Sequence, residues 1–270
     1  MAKLVRDLMH SGVVTCPPDI KLGKVARLLS ENHIHALFVV NEQGKPIGVI
    51  TDYDLMAGEW LSGDPESLAV MREMTAGELM STPIETVDAD CLVDEAAERM
   101  REGQIRRLLV MEHGRPIGVI SVSDFIAELA ARAPAHREKV GDVMSDAFLV
   151  CRDRTPVVSA AKAMAETGWR SVVVVDARGK PLGIFSGLDL LTCYDFHTDV
   201  EEILVTDVMH KPLKIGINAS LQEAAHLMID EHHHRILVVD LEDEDSLPLG
   251  VISSFDIVNQ MAKPDSVWQT

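Results

Sequence analysis

The sequence predicts an α/β chain, of the α+β kind, built from four tandem units of strand, helix, strand, strand, helix, and three observations predict it. An acid, an apolar residue and a methionine recur as Asp7-Leu8-Met9, Glu78-Leu79-Met80, Asp142-Val143-Met144 and Asp207-Val208-Met209. Further along each unit, a glycine, two apolar residues and a hydroxyl recur as Gly48-Val49-Ile50-Thr51, Gly118-Val119-Ile120-Ser121, Gly183-Ile184-Phe185-Ser186 and Gly250-Val251-Ile252-Ser253. Between these marks a stretch of helical period is followed by two short β-rich runs. Self-similarity at a fixed long period is the signature of a repeat architecture.

The first helix of each unit is predicted because apolar residues stand at i, i+3, i+4 and i+7: Leu22/Val25/Ala26/Leu29, Val93/Ala96/Ala97/Met100, Val157/Ala160/Ala161/Met164 and Leu221/Ala224/Ala225/Met228. Small residues at the middle positions let the helix axis approach a sheet or a second helix closely. The runs Leu37–Val40, Leu108–Met111, Val172–Val175 and Ile236–Val239 are strands by composition. Turns follow in three copies, at Gly44-Lys45-Pro46, Gly114-Arg115-Pro116 and Gly179-Lys180-Pro181. Copy 4 instead carries the acidic stretch Leu241-Glu242-Asp243-Glu244-Asp245, read as a solvated loop. A second strand and a closing helix complete each copy. A unit of roughly 60 residues is small for an independent core, so copies should pair. The expected bounds are 1–62, 73–134, 135–198 and 201–265, grouped as 1–134 and 135–270. The joins fall over 60–74, 131–139 and 195–202, with Pro134 as a helix breaker.

Composition narrows the function classes. Of 270 residues, 47% are hydrophobic and 4% aromatic, and 25 Lys and Arg against 43 Asp and Glu leave a formal charge of −18. Such a charge argues against nucleic acid or an anionic membrane as a partner, and the scarcity of aromatics argues against a single-strand groove built by base stacking. An anionic ligand would need a local basic pocket. The charged N-terminus, Lys3, Arg6 and Asp7, lacks a signal-peptide core, and no apolar stretch is long enough to span a bilayer. The expectation is a soluble, cytoplasmic protein with four dispersed, reduced cysteines.

The residues richest in chemistry form the pattern S/T-x-x-D: Thr51 and Asp54, Ser121 and Asp124, Ser186 and Asp189, Ser253 and Asp256. At a helix start this is a capping box and needs no ligand. A box also accepts Glu or Gln at its last position, yet all four copies use Asp, whose short carboxylate can accept the two hydroxyls of a ribose. Both readings are open on these residues alone.

Taken together, the D/E-h-M opening, the alanine-bearing helix, the strand end Val174-Val175-Asp176 and the G-h-h-S/T-x-x-D close resemble the CBS domain, named after cystathionine β-synthase. The resemblance spans essentially the whole chain, with no catalytic domain attached. It implies copies packed through their sheets into two Bateman modules, and clefts that bind adenosine-containing ligands such as AMP, ADP, ATP or S-adenosylmethionine. Two modules in one chain are similar to the γ subunit of AMP-activated protein kinase.

By the same resemblance, Asp54, Asp124, Asp189 and Asp256 bind the ribose, and Thr51, Ser121, Ser186 and Ser253 lie near ribose and phosphates. Phosphate contacts fall on a His-Arg pair ahead of the central strand, matched by His234-Arg235 and, with Arg for His, by Arg106-Arg107; His35 and Arg170 hold the corresponding place in copies 1 and 3. A guanidinium offers phosphate a planar fork, although a lone surface arginine is more commonly only solvated. Thr155 and Ala160 correspond to nucleoside contacts, while Ile20, Cys91 and Ala219 replace the threonine elsewhere.

The implied role is a non-catalytic, regulatory nucleotide sensor that passes ligand occupancy to a protein effector, with self-association into a homodimer compatible with it. No nucleophile and base pair, P-loop or Rossmann glycine pattern supports an enzyme. The alternatives are a ligand-free scaffold, in which S/T-x-x-D only caps, and a metalloprotein using His232-His233-His234. Consecutive histidines rarely converge on one ion, which disfavours the metal. Trp60 and Trp169 are candidates for stacking on a base or for covering a core edge.

Overall fold

The structure, a computed structural model, describes residues 3–32, 34–55, 73–131, 138–187, 189–190, 202–243 and 245–263. Trp60 and most of each expected join lie outside them.

Each copy forms the expected small sheet. In copy 1, Thr15–Cys16 runs parallel to the central strand Ala36–Val40, and Pro46–Thr51 pairs antiparallel on its other side. The same order recurs with Thr86–Asp88, Arg107–Glu112 and Arg115–Ser121 in copy 2, and with Leu149–Arg152, Ser171–Val175 and Pro181–Ser186 in copy 3. Copy 4 repeats it with Lys214–Gly216, Arg235–Val239 and Gly250–Ser253. A parallel pair needs a crossover, which the helices Leu22–Glu31, Val93–Gly103, Val157–Thr167 and Leu221–Asp230 supply. Their predicted apolar faces are buried, apart from Ala26, which is half-buried. Gly44, Gly114 and Gly179 turn the hairpins of copies 1 to 3 at φ +73°, +76° and +89°, conformations that favour glycine.

The D/E-h-M openings share one geometry in all four copies. Each forms one helical turn and packs on a neighbouring copy rather than its own. Val5 N donates to Cys91 O of copy 2 at 2.8 Å, and Ala76 N to Ile20 O of copy 1 at 2.8 Å. Likewise Val140 N donates to Ala219 O of copy 4 at 2.8 Å, and Val205 N to Thr155 O of copy 3 at 2.9 Å. The side chain two residues before each acid, Val5, Ala76, Val140 or Val205, is fully buried. The residue after each methionine then pairs with the last strand of the receiving copy: His10 with Val119, Ser81 with Val49, Ser145 with Val251, and His210 with Ile184.

This exchange explains two marks of the repeat as one contact. A Cβ on Gly48, Gly118, Gly183 or Gly250 would meet the sulfur of Met80, Met9, Met209 or Met144 at 2.2, 2.9, 2.3 or 2.8 Å. Methionine fills irregular space over a backbone that only glycine leaves bare.

The contacts divide the chain into two compact units: Met1–Val13 with Glu85–Ala147 and Leu213–Thr270, and Val14–Ile84 with Phe148–Pro212. The first holds copies 2 and 4, the second copies 1 and 3. In the first unit helices mediate the pairing. Leu221–Asp230 of copy 4 lies against Val122–Ala131 of copy 2, and Ser254–Met261 of copy 4 lies against both helices of copy 2. Ala96, Ala97, Ala224 and Ala225 are all but fully buried in one shared core with Phe125, Leu129, Ile257 and Met261. The second unit has a core for each copy, and Tyr53 of copy 1 packs against that of copy 3.

Candidate functional site

The geometry of S/T-x-x-D is the same four times. The aspartate Oδ2 accepts the backbone N–H and the hydroxyl of the residue three before it: at 2.7 and 2.6 Å from Thr51, 2.7 and 2.9 Å from Ser121, 2.7 and 2.6 Å from Ser186, and 2.7 and 2.7 Å from Ser253. The carboxylate half of a capping box is therefore present in each copy, and in copies 1 and 4 the hydroxyl accepts from the aspartate N–H in return. It commits one oxygen and leaves Oδ1 for another donor.

What meets Oδ1 comes from the exchanged segment. In copy 2, His10 Nδ1 lies 2.5 Å from Asp124 Oδ1. In copy 3, His210 Nδ1 lies 3.2 Å from both oxygens of Asp189. In copy 1, Ser81 Oγ donates to Asp54 Oδ1 over 3.3 Å. In copy 4, Ser145 turns to the carbonyl of Ala147, and Asp256 Oδ1 takes no hydrogen bond from a described residue. Asp256 instead lines an open cleft with Asp142, Asn259, Gln260 and Lys263. Burial pushes the Asp124 carboxyl above its ordinary pKa, opposed by Ser121 and His10, which pull it down.

The predicted cations flank the same elements. The ladder places Arg107 opposite Ser121 and Arg235 opposite Ser253, so guanidinium and hydroxyl stand on neighbouring strands on one face; Ala36 and Ser171 occupy that place opposite Thr51 and Ser186. One residue earlier, His35 Nδ1 pairs with Asp52 Oδ2 at 3.0 Å, and His234 O accepts from Ser254 N. Arg106 lies over the ring of Phe255, 5.2 Å from its centroid, and Arg170 over Tyr53 at 4.4 Å, each arginine meeting an aromatic from the other copy of its unit.

Thr155 receives Arg152 N on its hydroxyl at 3.2 Å and bonds the exchanged segment through its carbonyl. Ala160 is 2% exposed in the copy 3 core. Trp169 is exposed. Among the described residues no group of three His, Cys, Asp or Glu is placed to hold a metal, the run at 232–234 included. Nor is any described helix long and apolar enough to cross a membrane.

Sequence reasoning missed His10, Ser81, Ser145, His210, Tyr53 and Phe255. Each occupies a fixed place in the repeat, so an identity that alternates between copies at one register was the available signal.

The chain is a tandem array of a single α/β module. It belongs to the CBS domain family, whose model matches residues 5–58, 76–131, 140–195 and 205–263. Protein MJ1225 from Methanocaldococcus jannaschii has the same fold, with a TM-score of 0.84 and 19% identity over 96% of this chain and all of that one. A conserved protein from Pyrococcus horikoshii aligns with a TM-score of 0.65 and 20% identity, over 95% of this chain and 98% of that one. In sequence, MK0525 of Methanopyrus kandleri is 32% identical over 45% of this chain and 60% of its own length. MJ1404 of M. jannaschii is 28% identical over 65% of this chain and 45% of its own length. The chain thus spans about half the length of these curated relatives.

Proposed function

We propose that this chain is a regulatory, non-catalytic binder of adenosine-containing ligands, AMP, ADP, ATP or S-adenosylmethionine, that passes occupancy to a protein effector. One observation carries the reading. All four copies hold an aspartate whose Oδ2 is fixed by the backbone and hydroxyl three residues before it, and in copies 2 and 4 an arginine stands opposite that hydroxyl on the neighbouring strand. A carboxylate oxygen fixed in this way suits a ribosyl diol, and the arginines and histidines ahead of the central strands suit a phosphate tail. The likeness in fold to MJ1225, described as a candidate archaeal homologue of γ-AMPK, agrees with this reading.

The mechanism is differential binding. A ligand held by an aspartate, an exchanged segment and a basic strand edge favours whichever arrangement of these elements it binds more tightly, and shifts their population by that difference alone. Calorimetric titration of the intact chain with adenosine, AMP, ADP, ATP and S-adenosylmethionine tests the proposal. Saturable heat with at least one compound is expected. No binding by any of them at millimolar concentration would leave the aspartates as helix caps in a scaffold.

A further inference from the structure

The residue after each exchanged methionine divides the four copies into two kinds. His10 and His210 meet the aspartates of copies 2 and 3, whereas Ser81 and Ser145 stand at that register opposite copies 1 and 4. We propose that His10 and His210 are built-in occupants of Asp124 and Asp189, leaving Asp54 and Asp256 to take the ribosyl diol, one in each compact unit. This inference rests on the adenosine-ligand reading above.

The chemistry of Oδ1 carries it. An imidazole with a protonated Nδ1 donates a charge-assisted hydrogen bond to a carboxylate, using the oxygen on which a diol hydroxyl would have to land. Asp124 is 3% exposed beneath His10, and Asp189 is bracketed through both oxygens by His210. A serine hydroxyl at 3.3 Å from Asp54 is a weaker and smaller competitor, and Asp256 meets no described donor on Oδ1.

A second feature sorts the copies identically. The cation ahead of the central strand is capped by an aromatic ring in copies 2 and 3, Arg106 by Phe255 and Arg170 by Tyr53. At the sequence register of Tyr53 and Phe255, copies 2 and 3 have Ser123 and Leu188, neither of them aromatic. Each unit therefore contains one copy whose aspartate and arginine are both engaged from within the protein, and one whose aspartate is not held by a histidine.

The test is stoichiometry. AMP, ATP and S-adenosylmethionine are titrated in turn into the wild-type chain, a His10→Ser/His210→Ser variant, and the pairs Asp54→Ala/Asp256→Ala and Asp124→Ala/Asp189→Ala. The side chain of His10 is 79% exposed and that of His210 19%, and serine is the residue found at this register in the other two copies; circular dichroism and a thermal melt check that the double variant keeps its fold. We expect two sites per wild-type chain, at least a tenfold loss of affinity in the Asp54/Asp256 pair, an unchanged count in the Asp124/Asp189 pair, and a rise toward four sites in the histidine variant.

Four sites in the wild type, or a folded histidine variant still at two, would overturn the proposal while leaving the adenosine reading intact. A wild type that loses ligand in the Asp124/Asp189 pair would do the same. Absence of binding in every protein would overturn both. Binding confined to the histidine variant would uphold occupation by histidine and overturn the assignment of copies 1 and 4.

Discussion

Removing the Asp256 carboxylate takes away the cap on Ser253 and, with it, the Oδ1 proposed to meet a ribosyl diol, and the two roles can be separated by substitution. Asp256→Ala should lower stability by about 1 kcal/mol, the usual worth of a cap, and ligand affinity by roughly 1.5–3 kcal/mol, the range for hydrogen bonds to a charged group. Asp256→Asn keeps an acceptor for the cap, so it should recover most of the stability but little of the affinity. Chemical denaturation and calorimetry on both variants read the difference; affinity that returns together with stability would place Asp256 among the caps only. The strand-edge cation separates by ligand instead of by assay. Arg235→Ala, opposite Ser253, should weaken AMP and ATP more than adenosine, and an equal loss for all three would show that the guanidinium acts through packing.

At the scale of elements, the glycine that receives each methionine leaves no room for a Cβ. A Cβ at position 118 would lie 2.3 Å from the backbone oxygen of His10 and 2.9 Å from Met9 Sδ, so Gly118→Ala must push the exchanged segment away and should cost about 1–3 kcal/mol. Gly23, in the helix Leu22–Glu31, has no atom within 4 Å of the same construction, and Gly23→Ala should stabilise by about 0.5–1 kcal/mol. Opposite signs in thermal melts test the pair. A pH dependence follows from the cap of Leu221–Asp230. Bonds from the Ser220 backbone, then from its hydroxyl, hold the Glu223 carboxyl below its ordinary pKa. The stabilisation is present above the ordinary glutamate value and fades as pH falls through the lowered one. Nuclear magnetic resonance titration should find the Glu223 midpoint low, and Ser220→Ala should return it to the ordinary range.

These elements also show what the sequence could disclose. Helix and strand faces were readable because burial on one side imposes a period of 3.6 or 2, which needs only neighbours along the chain. The S/T-x-x-D cap was readable for the same reason, since its partners are three residues apart. The exchanged openings were not. Their apolar residue after the acid and their methionine satisfy any copy's sheet equally well, so the pattern fixes which face is buried and is silent on which copy receives it. His10 and His210 went unnoticed as a consequence, because their partners lie more than a hundred and about twenty positions away, across a boundary the pattern does not encode.

For the whole molecule, exchange means that no copy is complete by its own stretch of chain. Residues 3–11 close copy 2: Val5 is fully buried in the core of copies 2 and 4, Lys3 pairs with the buried Glu128 at 2.5 Å, Arg6 reaches Asp90 and Glu112, and His10–Ser11 adds a fourth strand beside Arg115–Ser121. Deleting residues 1–11 should therefore loosen copy 2 and leave copy 1, which those residues precede, largely intact. Hydrogen exchange distinguishes the two outcomes, because it reports local opening free energies element by element. Protection should fall in Arg115–Ser121 and in the helix Val93–Gly103, while Ala36–Val40 and Pro46–Thr51 keep theirs. The reverse pattern would mean that the N-terminal segment serves its own copy. The same deletion strips His10 from Asp124, so a truncated chain that stays folded should also gain a ligand site in copy 2, and loss of protection there without that gain would separate the structural role of the segment from the occupation of the carboxylate.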